Sequence, residues 1–268
     1  MVEGVPDKLA RIIDYKRGEV AALKSTLTVA LARERARSAP PPRDFTGRIL
    51  KIAGDDGNAL IGEVKRRSPS AGVINLARDP IEAAKAYEEG GAACISVLTD
   101  GPSFGGSLED LVAVRNAVEL PVLRKDFTID PVQIYEARAA GADAILLIMA
   151  VLDDVLAREL HDVADEVGLS VLLEAHNEAE LARALALPSP LIGVNNRDLR
   201  KMATDLAVTE RLAPMVPTGK VLISESGVRD PADIARLRIC GARGFLIGES
   251  LMRSEEPSSA VRALVETR

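Results

Sequence analysis

The amino-acid sequence predicts an α/β protein in which eight parallel strands alternate with helices and close into a barrel. From about residue 59 onward, short apolar runs recur about every 26 residues, the length of a strand–helix unit in a parallel sheet. The runs are apolar throughout rather than alternating, as expected for strands that are buried on both faces. Eight such units in about 200 residues are what a (β/α)8 TIM barrel requires.

The predicted strands and helices follow one another in a regular order. The strands are Ala59–Ile61, Ala93–Leu98, Pro121–Leu123, Ala144–Ile148, Ser170–Leu173, Leu191–Val194, Val221–Ile223 and Gly244–Ile247. Three of the intervening helices begin with Asp-Pro, where Asp79, Asp130 and Asp230 can cap the helix and proline suits its first turn. Glycines such as Gly141 and Gly168, which precede strands, indicate where helices end.

The segment before the first strand predicts an N-terminal helical extension. Apolar residues recur at helical spacing from about Asp7 to Ser25, a second helical stretch runs from Thr28 to Arg37, and a third lies around Phe45–Ile52. The segment is too short to form a domain and could pack against either end of the barrel. Because Leu9, Ile12 and Ile13 form an apolar stripe that needs a partner, we expect it to cover the carboxyl-terminal end rather than the opposite one. The expected organisation is one domain, residues 1–268, in which residues 1–58 are the extension.

A doubly wound parallel sheet is the alternative α/β fold. Such sheets usually have about five to seven strands and a glycine-rich turn after the first strand. Here the first strand is followed by Lys65–Ser70, with the sequence KRRSPS and no glycine. The barrel is therefore favoured.

Composition limits the classes of partner. The chain has 268 residues, a net charge of −6 and only 3% aromatic residues, so it lacks the basic footprint and stacking platforms of nucleic-acid binding proteins. No apolar run approaches the roughly 18 residues of a membrane span. Two cysteines are too few for a disulfide framework, and two histidines leave little for a metal site. We expect a cytoplasmic monomer that uses no metal or other cofactor.

Polar residues at the ends of the predicted strands are candidates for catalysis. In a barrel of this type the carboxyl ends of the strands meet at one end, where the active site lies. Six such residues occur on five strands: Glu63, Lys65, Lys125, Glu174, Asn195 and Glu225. Each alone could be an ordinary solvated side chain, but together they predict two lysines, three carboxylates and one amide around one cavity.

The loops after the seventh and eighth strands indicate a phosphate site. Barrels often bind phosphate through backbone N–H groups at these loops, which here read Ser224–Gly227 and Ile247–Ser250. Gly227 and Gly248 could equally be turn glycines. The Glu249 carboxylate would repel an anion, so only its backbone could contribute.

Histidines and cysteines give weaker signals. His176 follows Glu174 closely, but a lone histidine at the start of a helix is more often structural or solvated. His161 is expected on the surface of its helix. Cys94 and Cys240 lie in apolar surroundings and are expected to be small buried side chains.

Five sequence blocks, taken together, resemble a known family. They are Ile61–Ser70 (IGEVKRRSPS), Leu123–Phe127 (LRKDF), Leu173–His176 (LEAH), Ile192–Leu199 (IGVNNRDL) and Ser224–Gly227 (SESG). Their order and spacing closely resemble those of indole-3-glycerol phosphate synthase. The resemblance covers essentially the whole chain, including the helical extension.

This resemblance implies an activity and a set of site residues. The implied reaction converts 1-(2-carboxyphenylamino)-1-deoxyribulose 5-phosphate, a small phosphorylated substrate, into indole-3-glycerol phosphate, with release of CO₂ and water, in tryptophan biosynthesis. It implies Lys125 as general acid and Glu174 as general base, with Glu63, Lys65, Asn195 and Glu225 as further active-site residues. The implied substrate and phosphate contacts are Ser68, Phe104, Phe127, Arg197, Ser226, Gly227, Gly248 and Glu249.

The residue types suit this chemistry independently of the resemblance. Ring closure needs a proton at the C2′ carbonyl oxygen, which a lysine ammonium beside carboxylates can donate. Dehydration then needs an acid at the departing hydroxyl and a base at the ring nitrogen. Lys65 either pairs with the substrate carboxylate or serves as this second acid.

Two other functions remain open on the residues alone. One is a Schiff-base lyase or aldolase in which Lys125 or Lys65 is the nucleophile. The other is a protein that binds a phosphorylated ligand without catalysis. A related isomerase barrel fits less well, because it has a cysteine and an aspartate where this chain has Glu63 and Asn195.

Overall fold

A computed structural model describes residues 7–268, and in it eight parallel strands close into a barrel. Each strand pairs with the next along the chain, and the last pairs with the first. The strands are β1 (Ala59–Val64), β2 (Cys94–Leu98), β3 (Val122–Lys125), β4 (Ala144–Ile148), β5 (Ser170–Ala175), β6 (Leu191–Asn195), β7 (Val221–Glu225) and β8 (Gly244–Ile247). The predicted fold class and all eight predicted strands are confirmed.

Helices precede, connect and follow the strands. The extension forms α1 (Asp7–Thr26), α2 (Val29–Ser38) and α3 (Phe45–Gly54). The others are α4 (Pro80–Glu89), α5 (Gly101–Phe104), α6 (Leu108–Ala117), α7 (Pro131–Ala139), α8 (Asp154–Glu166), α9 (Glu178–Leu185), α10 (Ala207–Leu212), α11 (Pro231–Ile239), α12 (Glu249–Arg253) and α13 (Pro257–Val265). As predicted, Asp79, Asp130 and Asp230 cap the helices that they precede, because each side chain accepts hydrogen bonds from the first turn. No helix within residues 7–268 has the length and apolar character needed to cross a membrane.

A short antiparallel hairpin follows β1 and was not predicted from the sequence. Arg67–Ser68 pairs with Gly72–Val73, and Gly72 has a φ of 65°, which a residue without a side chain adopts readily. Ser68 Oγ accepts a hydrogen bond from the Ala71 backbone N–H at 3.1 Å, which closes the turn. The hairpin places Ser68 at the carboxyl end of the barrel.

Two predictions about single residues were wrong. His161 is only 8% exposed, because it lies on the same face of α8 as the buried residues Ala157, Leu160 and Ala164. Cys240 is only partly buried, whereas Cys94 is fully buried in β2 as expected.

The extension covers both ends of the barrel. At the amino-terminal end, Thr46 Oγ1 in α3 lies 2.9 Å from Ser170 Oγ at the start of β5, and the Arg43 backbone N–H donates to Asp143 at 2.6 Å. At the carboxyl-terminal end, which we call the mouth, α1 packs beside the residues that follow β2 and β3. The prediction that the extension covers the mouth rather than the opposite end is therefore confirmed for α1 and wrong for α3.

A buried lysine attaches α1 to the mouth. Lys16 is 2% exposed, and its Nζ lies 3.1 Å from Asp100 Oδ1 and 2.9 Å from Asp126 Oδ1. The Tyr15 hydroxyl donates to the same Asp100 carboxylate at 2.7 Å. Both aspartates are buried, so the lysine compensates charges that water cannot reach. Its pairing with two different βα loops fixes the position of the helix.

Lys16→Met should therefore destabilise the fold more than an exposed substitution on the same helix. We expect the free energy of unfolding to fall by about 3 kcal/mol, because Asp100 and Asp126 lose a buried counter-ion. Lys24→Met is the matched control, since its side chain is 43% exposed and its pair with Asp130 should contribute less than about 1 kcal/mol. Urea unfolding measures both, and equal effects of the two substitutions would contradict the anchoring role of Lys16.

Candidate active site

One cavity at the mouth brings the predicted site residues together. It is lined by all six polar residues from the strand ends and by all eight predicted substrate contacts. Leu9 and Ile12 of α1 complete its wall. The parallel strands explain the convergence, because their carboxyl ends all face this side of the barrel.

The Lys125 ammonium lies between two carboxylates at the centre of the cavity. Its Nζ donates to Glu174 Oε2 at 3.0 Å and to Glu225 Oε2 at 2.9 Å. The lysine ends β3, whereas Glu174 lies in β5 and Glu225 ends β7, so three separate strands build this contact. Glu174 and Glu225 are 3% and 1% exposed, so Lys125 compensates two carboxyl groups that are almost completely buried.

Burial and charge together set the protonation of these three groups. Burial alone would lower the pKa of Lys125, but Glu174 and Glu225 outweigh it and raise that pKa. Burial favours the neutral form of Glu174, yet the ammonium holds the pKa of Glu174 well below its usual range. For Glu225, burial and the neighbouring Glu174 outweigh the lysine and raise the pKa above that of an ordinary carboxyl. Lys125 and Glu174 are therefore charged near neutral pH, and of the two carboxyl groups Glu225 keeps its proton to the higher pH.

Gly193 leaves the space that the Glu225 side chain occupies. A Cβ atom at position 193 would lie 2.1 Å from Glu225 Oε1, so any side chain there would displace the carboxyl group. Glu225 Oε1 is buried and has no hydrogen-bond partner within the described residues. Gly193 was not predicted as a site residue, although a glycine inside an apolar strand often marks a close approach of another group.

Lys65 and Glu63 form a second lysine–carboxylate pair in the same cavity. Lys65 Nζ donates to Glu63 Oε1, and both side chains are largely buried. Gly248 makes room for this pair, because a Cβ atom there would lie 2.7 Å from Glu63 Oε1. The cavity thus holds two ammonium groups, each beside at least one carboxylate.

The loop after β6 is fixed by side-chain amides. Asn195 Oδ1 accepts the Arg197 backbone N–H at 3.1 Å, and the Arg197 guanidinium donates to the Met202 carbonyl at 3.3 Å. The buried Asn196 side chain donates to Ser224 Oγ and to the Ser226 carbonyl, both at 2.9 Å. Asn196 therefore ties the loop after β6 to the loop after β7.

The loops after β7 and β8 form one end of the cavity. Ser226 and Gly227 both have left-handed backbones, with φ values of 64° and 92°. A Cβ atom at position 227 would lie 2.5 Å from Thr204 Cγ2, so glycine is required there by space as well as by conformation. Glu249 pairs with Arg253 at 3.3 Å within α12, which gives its carboxylate a partner of opposite charge.

The opposite end of the cavity is apolar. The rings of Phe104 and Phe127 lie 6.2 Å apart between centroids, with a tilt of 39° between their planes. Leu9 and Ile12 line the cavity together with these rings. The cavity therefore offers an aromatic, apolar surface at one end and a backbone turn at the other.

His176 is part of the charge cluster, although the sequence predicts no more than a structural or solvated role for it. Its Nδ1 lies 2.9 Å from Glu180 Oε2, and its Nε2 lies 3.3 Å from Glu174 Oε1. Burial lowers the pKa of His176, but the two carboxylates outweigh it and raise that pKa to about 10. The spacing in the sequence could have indicated these contacts, because His176 follows Glu174 by two residues and precedes Glu180 by four.

Residues 7–268 form no cluster of metal ligands. No three or more histidine, cysteine, aspartate or glutamate side chains in that range are grouped so that they could hold a metal ion. Glu63, Glu174 and Glu225 are paired instead with Lys65 and Lys125.

Known proteins with similar sequences share one name. The family model described as indole-3-glycerol phosphate synthase matches residues 9–264. A protein of that name from Hyphomonas neptunium is 60% identical over 245 residues, which are 91% of this chain and 92% of that protein. Proteins of the same name from Rhodospirillum rubrum and Azospirillum brasilense are each 52% identical over 260 residues, which are 97% of this chain and 99% of theirs. The chain belongs to the indole-3-glycerol phosphate synthase family.

Proposed function

We propose that this protein converts 1-(2-carboxyphenylamino)-1-deoxyribulose 5-phosphate into indole-3-glycerol phosphate by general acid–base catalysis. The observation that carries the proposal is the Lys125 ammonium held between Glu174 and Glu225, in a cavity that is also lined by the Phe104 and Phe127 rings and by the turn at Ser226 and Gly227. A charged donor and a charged acceptor in contact are what a reaction with several proton transfers needs. The family relationship supports the same activity.

The two ends of the cavity suit the two ends of this substrate. The carboxyphenyl ring would pack against Phe104 and Phe127 and be covered by Leu9 and Ile12. The phosphate would bind at the turn formed by Ser226 and Gly227, because successive backbone N–H groups in such turns form an anion-binding concavity. Gly248, the Glu249 backbone, Ser68 and Arg197 line the cavity and supply further contacts.

Ring closure is the step that we assign to Lys125. The aromatic carbon that bears the carboxylate attacks the C2′ carbonyl carbon, and the carbonyl oxygen takes a proton from the ammonium. CO₂ then leaves, and its bonding electrons restore the aromatic ring. The ionised Glu174 keeps Lys125 protonated until the substrate oxygen becomes basic enough to accept the proton.

Dehydration is assigned to the second pair of groups. Glu174 removes the proton from the ring nitrogen, while Lys65 protonates the departing hydroxyl group at C2′. Lys65 suits this role because it is a second ammonium within the same cavity and Glu63 holds it in place. The Asn195 side-chain oxygen already accepts the Arg197 N–H, which leaves its NH₂ group to donate to the substrate.

The raised pKa of Lys125 disfavours the Schiff-base alternative. A lysine that attacks a carbonyl needs a free electron pair, so nucleophilic lysines have lowered pKa values. Glu174 and Glu225 act in the opposite direction here, because they stabilise the ammonium form. Proton donation is the chemistry that this environment favours.

We further infer that one chain suffices for activity, as a cytoplasmic monomer and a single domain. Residues of the extension and of the barrel line the same cavity. Leu9 and Ile12 would keep water from the carboxyphenyl ring, so the extension contributes directly to the site. The side chains that we assign to binding and proton transfer all lie within this chain.

Turnover tests the proposed activity directly. Purified protein incubated with 1-(2-carboxyphenylamino)-1-deoxyribulose 5-phosphate should release indole-3-glycerol phosphate, detected as a rise in indole fluorescence. The chain contains no tryptophan, so the protein adds little background. Substrate binding without product would favour the non-catalytic alternative, and a substrate adduct trapped by borohydride would favour the Schiff-base enzyme.

Substitution of Lys125 tests its role as the proton donor. Lys125→Arg should lose almost as much activity as Lys125→Ala, because arginine holds its proton with a pKa above about 12 and is a poor donor. Loss of general acid catalysis should lower kcat by about 10²- to 10⁴-fold, with a smaller effect on KM because the phosphate contacts are retained. An arginine variant within about tenfold of the parent kcat would remove Lys125 from this role and favour Lys65.

A further inference from the structure

The two carboxylates beside Lys125 are not equivalent. Glu174 has a cationic neighbour at each oxygen, since Lys125 Nζ lies 3.0 Å from Oε2 and His176 Nε2 lies 3.3 Å from Oε1. Glu225 has Lys125 at Oε2, whereas its Oε1 has no hydrogen-bond partner among residues 7–268. The surroundings therefore favour negative charge on Glu174 over negative charge on Glu225.

We propose that His176 is a positioning residue that keeps Glu174 ionised. Glu174 and Glu225 compete for one proton, and with His176 in place this proton resides on Glu225. The proposal rests on the proposed function only for its effect on catalysis, since Glu174 must be ionised to act as a base. The distribution of charge is a separate claim, and it can be measured without turnover.

Glu180 holds the imidazole ring in place. Its Oε2 lies 2.9 Å from His176 Nδ1 and also accepts the His176 backbone N–H at 2.9 Å. Asn177 caps α9 and donates to the other Glu180 oxygen at 2.6 Å. Two bonds from one carboxylate thus fix both the backbone and the ring of His176. Nε2 then lies 3.3 Å from Glu174 Oε1, in an ion-pair contact, and makes no hydrogen bond among residues 7–268.

The charges form an alternating row. Glu180 on α9 and Glu174 on β5 are the charged groups that face the imidazole, one at each ring nitrogen. Beyond Glu174, the row continues through Lys125 to Glu225. An imidazolium between two carboxylates is stabilised by both, and in turn it stabilises the ionised form of each.

Without the imidazolium, the proton would be shared between Glu174 and Glu225. Two carboxylates beside one ammonium titrate as a coupled pair, and a small difference in surroundings decides which one is protonated. Removal of the positive charge from His176 raises the pKa of Glu174. A larger fraction of the enzyme would then carry a protonated Glu174, which cannot accept the proton from the substrate nitrogen.

Nuclear magnetic resonance of the imidazole groups tests the charge distribution in the intact enzyme. The chain has two histidines, so its spectrum contains two Cε1–Hε1 signals, and His161→Gln assigns them. We expect His176 to remain protonated through neutral pH and to lose its proton at about pH 10, whereas burial makes His161 titrate below its usual value. Glu174→Gln and Glu180→Gln should each lower the midpoint of His176. A midpoint of His176 near 6.5 in the parent enzyme, or one that Glu174→Gln leaves unchanged, would overturn the proposal.

The pH dependence of turnover tests the effect on catalysis. His176→Gln should move the acidic limb of the kcat profile to higher pH by at least about one unit, which is about a tenfold loss on that limb, with KM little changed. His161→Gln is the matched control and should leave the limb in place. Glu180→Gln should also move the acidic limb of the kcat profile to higher pH, but by a smaller amount. It provides a second variant if His176→Gln does not fold. A kcat loss that is equal at every pH would reduce His176 to a structural role.

The two measurements separate this proposal from the proposed function. If the enzyme turned out to have another activity, the titration of His176 would still report its charge. If turnover occurs as proposed but His176 is neutral at pH 7, the positioning role fails while the activity stands.

Discussion

The Lys125 ammonium lies between the buried carboxylates of Glu174 and Glu225, and this contact constrains the rest of the cavity. Both carboxyl groups are almost completely buried, and one ammonium cannot neutralise the two of them, so one carboxyl group is driven toward its protonated form. The barrel makes the contact possible because three separate strands end at the same place. Gly193 keeps space for the Glu225 side chain, and His176 adds a second positive charge beside Glu174. The site therefore holds both a proton donor and an ionised acceptor at neutral pH.

The extension couples the stability of the fold to the shape of the site. Lys16 pairs with Asp100 and Asp126, which follow two neighbouring strands, so α1 is fixed to the loops that carry Phe104 and Phe127. The apolar end of the cavity is complete only with α1 in place. The same buried charges that stabilise the helix thus position the surface that we assign to the substrate ring.

Much of the fold was predictable because its signals are local. Apolar runs at regular spacing predict the strands, and polar residues at their ends predict which side chains meet at the mouth. Other features depend on contacts between distant parts of the chain. Lys16 gains its role from two aspartates that lie far along the sequence, and His161 is buried by a helix face that the single residue does not reveal. Gly193 and His176 were missed because their importance comes from the positions of Glu225 and Glu174 in space.

The most direct test of this account is the infrared spectrum of the protonated carboxyl groups near neutral pH. Because Glu174 and Glu225 share the single Lys125 ammonium, one of them should be protonated and give the carbonyl band of a buried carboxylic acid. Glu225→Gln should remove this band. Glu174→Gln should remove it as well, because Lys125 then has only Glu225 to neutralise. The exposed Glu178 provides the control, since Glu178→Gln should leave the band unchanged. Absence of the band in the parent enzyme, or its survival in Glu225→Gln, would contradict the account.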